Sequence, residues 1–93
     1  MFIFNLIYRK DLKEVDRWLP AHVRFLDEEF DAGHFLYSGK KNPRVGGIII
    51  CTCADRSEAE RIASRDPFFT QEIADYEIIE FAPTKFAPAL EAH

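Results

Sequence analysis

The sequence predicts an α+β domain with a ferredoxin-like βαββαβ order, in which two helices cover one face of a four-stranded antiparallel sheet. Segments of two-residue apolar period and segments of helical period follow one another in that order. With 93 residues the chain has room for a single hydrophobic core. We therefore assign residues 1–93 to one domain, with a C-terminal tail from about residue 82. A third observation, strands that are apolar on both faces, predicts a further packing surface.

The first strand is predicted in FIFNLIYR, where β-favouring side chains alternate between two faces. The first helix is predicted over residues 11–32, where apolar side chains recur at steps of three and four. Asp11 is its predicted N-cap and Gly33 the residue that ends it. Pro20 predicts either a kink or a main helix that begins near Leu19, because an interior proline costs about 3 kcal/mol.

The second half of the chain contains the remaining elements. The second strand is predicted in HFLYSGK and is followed by a turn in KNPR. The third strand is predicted in VGGIIICTC, the second helix in SEAERIASRD and the last strand in DYEIIEFA. Ser57 or Asp55 opens the second helix. Gly39, Gly46 and Gly47 are either turn and bulge residues or positions that leave backbone N–H groups open to a ligand.

The two apolar faces of the strands predict a homodimer. In the first strand Phe2 and Phe4 point to one side, and Ile3 and Ile7 point to the other. Two helices can cover only one of these sides. The simplest cover for the other side is the same sheet of a second copy.

Composition and charge argue against several classes of protein. The formal net charge of −4 offers no basic stripe for nucleic acid. No apolar run reaches the roughly 20 residues of a membrane span, and the N-terminal apolar stretch precedes its charges, unlike a signal peptide. We therefore expect a cytoplasmic protein.

Cys51 and Cys53 form C-x-C, which is typical of neither redox nor zinc sites, and we interpret them as two buried free thiols. No nucleotide-binding glycine motif is present, and we predict neither cofactor nor metal.

Two ionisable residues are predicted to face the sheet and to meet there. His22 lies on the apolar stripe between Leu19 and Leu26, and Asp66 lies three to four residues beyond the apolar stripe of the second helix. A carboxylate bonded to one imidazole nitrogen fixes the tautomer and leaves the other nitrogen as an acid or base.

Simpler interpretations of these residues are also open. Asp66 followed by Pro67 is a good N-cap and first position of a short helix, and one carboxylate can serve both roles. A single histidine on an apolar stripe is often only a satisfied core residue. We expect His34 to be solvated, and likewise the acidic end of the first helix, which contains Glu28, Glu29 and Asp31.

The whole chain resembles the YCII-related domain family. The resemblance rests on PAHVRFLDEEFDAGHFLYSG, on GG before an apolar strand, on RSEAERIASRDPFF and on IIEFAP. It implies a dimeric α/β barrel in which His22 and Asp66, the family's hallmark pair, line a pocket as a catalytic acid/base dyad. The family's Ser/Ala-Gly after the second strand falls on Ser38 and Gly39. One departure is Lys40, which stands where many relatives have proline before a longer loop.

These observations predict a small-molecule enzyme, a lyase or isomerase that transfers a proton through the His22–Asp66 dyad. The resemblance implies a reaction similar to that of a dehydrochlorinase for a chlorinated hydroxyquinol or of muconolactone isomerases. Ser38, Gly39 and a phenol, Tyr8 or Tyr37, are the predicted substrate-binding residues, with Tyr8 preferred, and the ligand is a small organic molecule. The alternative is a non-catalytic dimeric module that binds a metabolite or a protein.

Overall fold

The computed structural model describes residues 1–90, with all helices packed on one face of a four-stranded antiparallel sheet. The strands are β1 (Phe2–Tyr8), β2 (Phe35–Lys40), β3 (Gly46–Cys51) and β4 (Ala74–Glu80), and the helices are α1 (Leu12–Asp31), α2 (Arg56–Ala63) and α3 (Pro67–Thr70). A single 3-10 turn, Pro88–Leu90, ends the described chain. The strand order is β2-β3-β1-β4. The predicted α+β fold with βαββαβ order is confirmed, and α3 is an additional short helix before β4.

Helix α1 begins and ends where the sequence predicts. The Asp11 side chain caps it by accepting a hydrogen bond from the Glu14 N–H at 3.1 Å, and Gly33 follows it with φ +81°. The helix continues through Pro20 without a break, so the alternative that it begins near Leu19 is wrong. Pro20 lies on the exposed side of the helix, where water can bond the carbonyl that the proline ring leaves without a donor.

The hydrophobic core lies between the helices and the inner face of the sheet, by which we mean the face that the helices cover. In β1 the inward side chains are Phe2, Phe4 and Leu6, each at most 2% exposed. They pack with Ile49 of β3, Ile62 of α2 and Phe68 of α3 in one buried cluster. The predicted alternation in β1 therefore sets which face is the core.

The outer face of the sheet, opposite the helices, is also apolar. Ile3 lies between Ile50 and Ile79 in the strand register, so that the three side chains form a row across the sheet. The C-terminal tail runs beside this row, and a cavity of about 480 Å³ lies between them, lined in part by Phe86 and Tyr37. The sheet thus has two apolar faces, of which the helices cover one.

The pair of glycines at the start of β3 has a packing role at its first position. A Cβ atom on Gly46 would lie 1.8 Å from the Leu6 carbonyl oxygen, closer than any contact allows. Gly46 is therefore required for the close pairing of β3 with β1.

Within residues 1–90, no helix combines the length and the apolar character needed to cross a membrane.

Candidate functional site

A cavity of about 190 Å³ lies between α1 and the inner face of the sheet. Most of its wall is apolar, with Leu19, Val23 and Leu26 contributed by α1 and Leu6 and Ile49 by the sheet. An apolar cavity of about 150 Å³ is large enough to bind benzene. The space therefore fits one substituted six-membered ring.

His22 lies in the wall of this cavity and is hydrogen-bonded to Asp66. Its Nδ1 lies 2.8 Å from Asp66 Oδ1, and the two residues are only 8% and 0% exposed. The imidazole stacks on the Phe68 ring with centroids 4.0 Å apart and planes 3° apart. Since Nδ1 is bonded to the carboxylate, Nε2 is the ring nitrogen left for a molecule in the cavity.

Asp66 is both the partner of His22 and the cap of a helix. It is the N-cap of α3, with Pro67 at the first helical position, and its Oδ1 accepts a hydrogen bond from the Phe68 N–H at 2.9 Å. Oδ1 of Asp66 therefore serves both as the helix cap and as the partner of His22. Asp66 itself lies behind His22, away from the cavity wall.

Tyr76 is a third member of this group that sequence reasoning missed. Its hydroxyl donates a hydrogen bond to Asp66 Oδ2. Burial, the charge of Asp66 and this hydrogen bond raise the pKa of Tyr76 well above its usual value, so the phenol stays a donor. The signal that could have found it is the alternation of β4, which places Tyr76 on the same side as the core residue Ala74.

With Tyr76 included, Asp66 has three hydrogen-bond donors directed at it. Two of them reach Oδ1 and one reaches Oδ2. This arrangement fits a carboxylate, which accepts hydrogen bonds at both oxygens. A carboxylate in turn requires the proton of neutral His22 on Nδ1 and leaves a lone pair on Nε2.

The predicted substrate-binding residues Ser38, Gly39 and Tyr8 all line the cavity that His22 lines. Tyr37, the other phenol considered, lies at the cavity on the outer face of the sheet and is 61% exposed. Alternation along β2 explains this, because neighbouring strand residues face opposite sides.

A second buried polar cluster lies near the C-terminal end of α1. The Glu29 carboxylate, 4% exposed, accepts hydrogen bonds from Arg65 Nη2 at 2.8 Å and from His34 Nδ1 at 3.1 Å. Burial opposes ionisation of Glu29, but the bonds from Arg65 and His34 outweigh it and lower its pKa. The expectation of a solvated helix end is therefore wrong for Glu29 but holds for Glu28 and Asp31, which are exposed. His34 is half-buried rather than fully solvated, because it is bonded to Glu29.

The two cysteines are free, as predicted, but only Cys51 is fully buried. Burial raises its pKa to about 12, so it is a thiol at neutral pH rather than a nucleophile. Cys53 is half-buried and packs against the core, which corrects the expectation of two buried thiols. In residues 1–90 no group of three or more His, Cys, Asp or Glu side chains is arranged to hold a metal ion.

Comparisons with known proteins agree with this fold. The family model described as the YCII-related domain matches residues 1–82. Among solved structures, the chain is similar to 5-chloro-2-hydroxyhydroquinone dehydrochlorinase from Burkholderia phenoliruptrix AC1100, determined in complex with 2,5-dihydroxybenzoquinone. The TM-score is 0.72 at 13% identity, over 88% of this chain and 94% of that chain, which is a likeness of fold. No curated protein matches the sequence significantly.

Proposed function

The chain belongs to the YCII-related domain family, and we propose that it is a small-molecule enzyme in which His22 transfers a proton. The reaction is an elimination or an isomerisation, and His22 is the catalytic base and acid. Asp66 is the positioning residue that orients the imidazole and stabilises its protonated form.

The proposed step begins at the lone pair of His22 Nε2. This nitrogen takes a proton from a carbon or oxygen next to a carbonyl or phenol, and the released electron pair forms a new double bond. In an elimination a leaving group departs with its own electron pair; in an isomerisation the proton returns to another atom of the substrate. Neither outcome changes the oxidation state of the enzyme, and the imidazolium formed in between is paired with Asp66, whose Oδ1 lies 2.8 Å from Nδ1.

The observation that carries the proposal is the combination of a fully buried carboxylate behind His22 and a mostly apolar cavity in front of it. Low polarity strengthens the attraction between the imidazolium and Asp66. The cavity has the size of one six-membered ring, and the similar dehydrochlorinase was determined with such a ring compound bound. A small, partly aromatic substrate is therefore the class we propose, with Ser38, Gly39 and Tyr8 as its binding residues.

We further propose that the protein is a homodimer that pairs the outer faces of two sheets. The row of Ile3, Ile50 and Ile79 supports this arrangement, since each side chain is partly or largely exposed in the single chain. Isologous pairing would cover the row with an identical row.

A proton-transfer assay on a set of simple ring compounds tests the function. Compounds with a C–H next to a carbonyl or phenol are incubated with the protein in D₂O, and hydrogen–deuterium exchange at that carbon is followed by NMR. We expect exchange with the wild type, and none above background with His22→Ala or Asp66→Asn. A thermal-shift screen of the same compounds against wild type and His22→Ala identifies the ligands to use.

Asp66→Asn separates the two roles of Asp66, because asparagine keeps a carbonyl oxygen for the Phe68 N–H but carries no charge. The matched control is Asp55→Asn, since Asp55 caps α2 by accepting the Glu58 N–H at 2.8 Å. A dyad predicts that only Asp66→Asn moves the NMR titration of His22 and abolishes exchange.

Two results would contradict the proposal. One is a His22 titration that is the same in wild type and Asp66→Asn, which would reduce Asp66 to a cap. The other is a ligand that stabilises wild type and His22→Ala equally and undergoes no exchange. That second result would favour the alternative, a non-catalytic binding module.

A further inference from the structure

We propose that the His22 cavity selects ring compounds that carry an anionic oxygen group, such as a carboxylate, and that Lys40 recognises this group. The inference rests on the proposed function, because it takes the cavity as the substrate site. It concerns Lys40, the lysine that ends β2.

The charge of the cavity wall favours an anion. Its polar side chains are those of Tyr8, His22, Ser38 and Lys40, and no aspartate or glutamate of residues 1–90 belongs to the wall. Asp66, which is bonded to the imidazole, lies behind it and accepts three hydrogen bonds of its own. A negative ligand group therefore meets a permanent cation and no opposing charge at the wall.

Lys40 is available for such a group. Within residues 1–90 its ammonium forms no salt bridge. By contrast, Arg44 in the following loop is held by Asp16 at 2.6 Å, and Arg9 lies 3.5 Å from both Glu72 and Asp75. These two arginines are already paired.

The surrounding loop adds to the positive field. Residues 41–45, KNPRV, follow Lys40 and contain no acidic residue, in a chain whose net charge is −4. Asp16 offsets the charge of Arg44, so the added positive charge is that of Lys41. A concentration of one sign of charge at the mouth of a low-polarity cavity raises the local concentration of ligands of the other sign.

The strand register leaves room for the anion beside Lys40. Lys40 is paired with Gly47 of β3, which has no side chain and itself lines the cavity. Ser38, two residues earlier on the same face of β2, supplies a hydroxyl donor next to this space. With its anionic group at Lys40 and Ser38, a ring spans the cavity toward His22.

Matched pairs of probes test this selection. Benzoate and benzamide have nearly the same shape but differ in charge, as do 4-hydroxybenzoate and 4-hydroxybenzamide. Their dissociation constants are measured by NMR titration, with the His22 ring signals as the reporter, for wild type, Lys40→Met and Lys41→Met. Lys41 is the control, because its replacement removes the same charge from the same loop and it does not line the cavity.

We expect wild type to bind each carboxylate about fivefold more tightly than its amide, the upper range for an exposed ion pair. Lys40→Met should abolish this preference, Lys41→Met should keep it, and added salt should reduce it. Equal binding of acid and amide by wild type would overturn the inference and leave the proposed function standing, as would equal losses in both variants. If neither probe pair perturbs His22, the inference fails together with the proposed use of the cavity.

Discussion

Replacing Tyr76 with phenylalanine should reduce the free energy of unfolding by about 2 kcal/mol, because hydrogen bonds to charged groups contribute roughly 1.5–3 kcal/mol. The Asp66 side chain is 0% exposed, so water cannot take the place of the lost hydroxyl donor at Oδ2. The phenylalanine ring keeps the edge contacts of the tyrosine with Phe4 and Phe69, whose centroids lie 5.6 and 6.1 Å away. The loss therefore measures the hydrogen bond rather than packing.

Urea unfolding at pH 7 measures this loss. The chain has one tryptophan, Trp18, which packs against the core and reports the transition by fluorescence. With a typical domain stability of about 5–15 kcal/mol, the variant stays folded in water. The control is Tyr37→Phe, which removes a hydroxyl from a residue that is 61% exposed and should change the stability by less than about 0.5 kcal/mol.

The same small effect of Tyr76→Phe and Tyr37→Phe would contradict this prediction. In that case Asp66 Oδ2 has either another donor or no charge to stabilise, and the group around His22 is a pair rather than a set of three. A large loss of stability in Tyr76→Phe without any change in deuterium exchange would show that the bond to Asp66 stabilises the fold and is not needed for proton transfer by His22.

The other predictions concern the buried ion pair and the two faces of the sheet. Because the folded-state pKa of Glu29 is lowered, its contribution to stability is present above its unfolded pKa of about 4.3 and is lost as pH falls through the folded value. The difference in unfolding free energy between wild type and Glu29→Gln should therefore narrow as pH falls below about 4.3, and a constant difference would contradict the shift. Ile49 is 2% exposed on the inner face and Ile50 lies on the outer face, so Ile49→Glu should unfold the protein and Ile50→Glu should leave folded monomers. Sedimentation of the wild type should give twice the 10.8 kDa chain mass, and a wild-type monomer would refute the dimer.

The fold was predictable because its signals are local. Each signal depends on a few neighbouring residues. These signals are the alternation in β1, the three-and-four spacing in α1, the cap at Asp11 and the glycine at position 33. The course of α1 around Pro20 could not be predicted, because the cost of an interior proline depends on which side of the helix is packed, and spacing alone does not show this.

The candidate site and the second buried polar cluster were only partly predictable, because their missing members depend on contacts between distant segments. The spacing along α1 places Glu29 on the inward stripe, yet a buried carboxylate is stable only with a partner, and Arg65 lies 36 residues away in sequence. Predicting the role of Tyr76 likewise required the register of β4 against β1, which places Tyr76 opposite Leu6. Sequence periodicity gives the face of each residue but not its neighbour across elements.

The short helix α3 explains how Asp66 can both cap a helix and position His22. Helix α3 has four residues, and its Phe68 contributes to the site twice: its N–H binds Asp66 Oδ1 and its ring stacks on His22. Pro67 restricts the backbone between the two residues, since its φ is fixed by the ring. The capping bond therefore holds the carboxylate at the distance and angle that the stacked imidazole requires. In the proposed mechanism the cap is the means by which the His22–Asp66 geometry is fixed before a substrate enters the cavity.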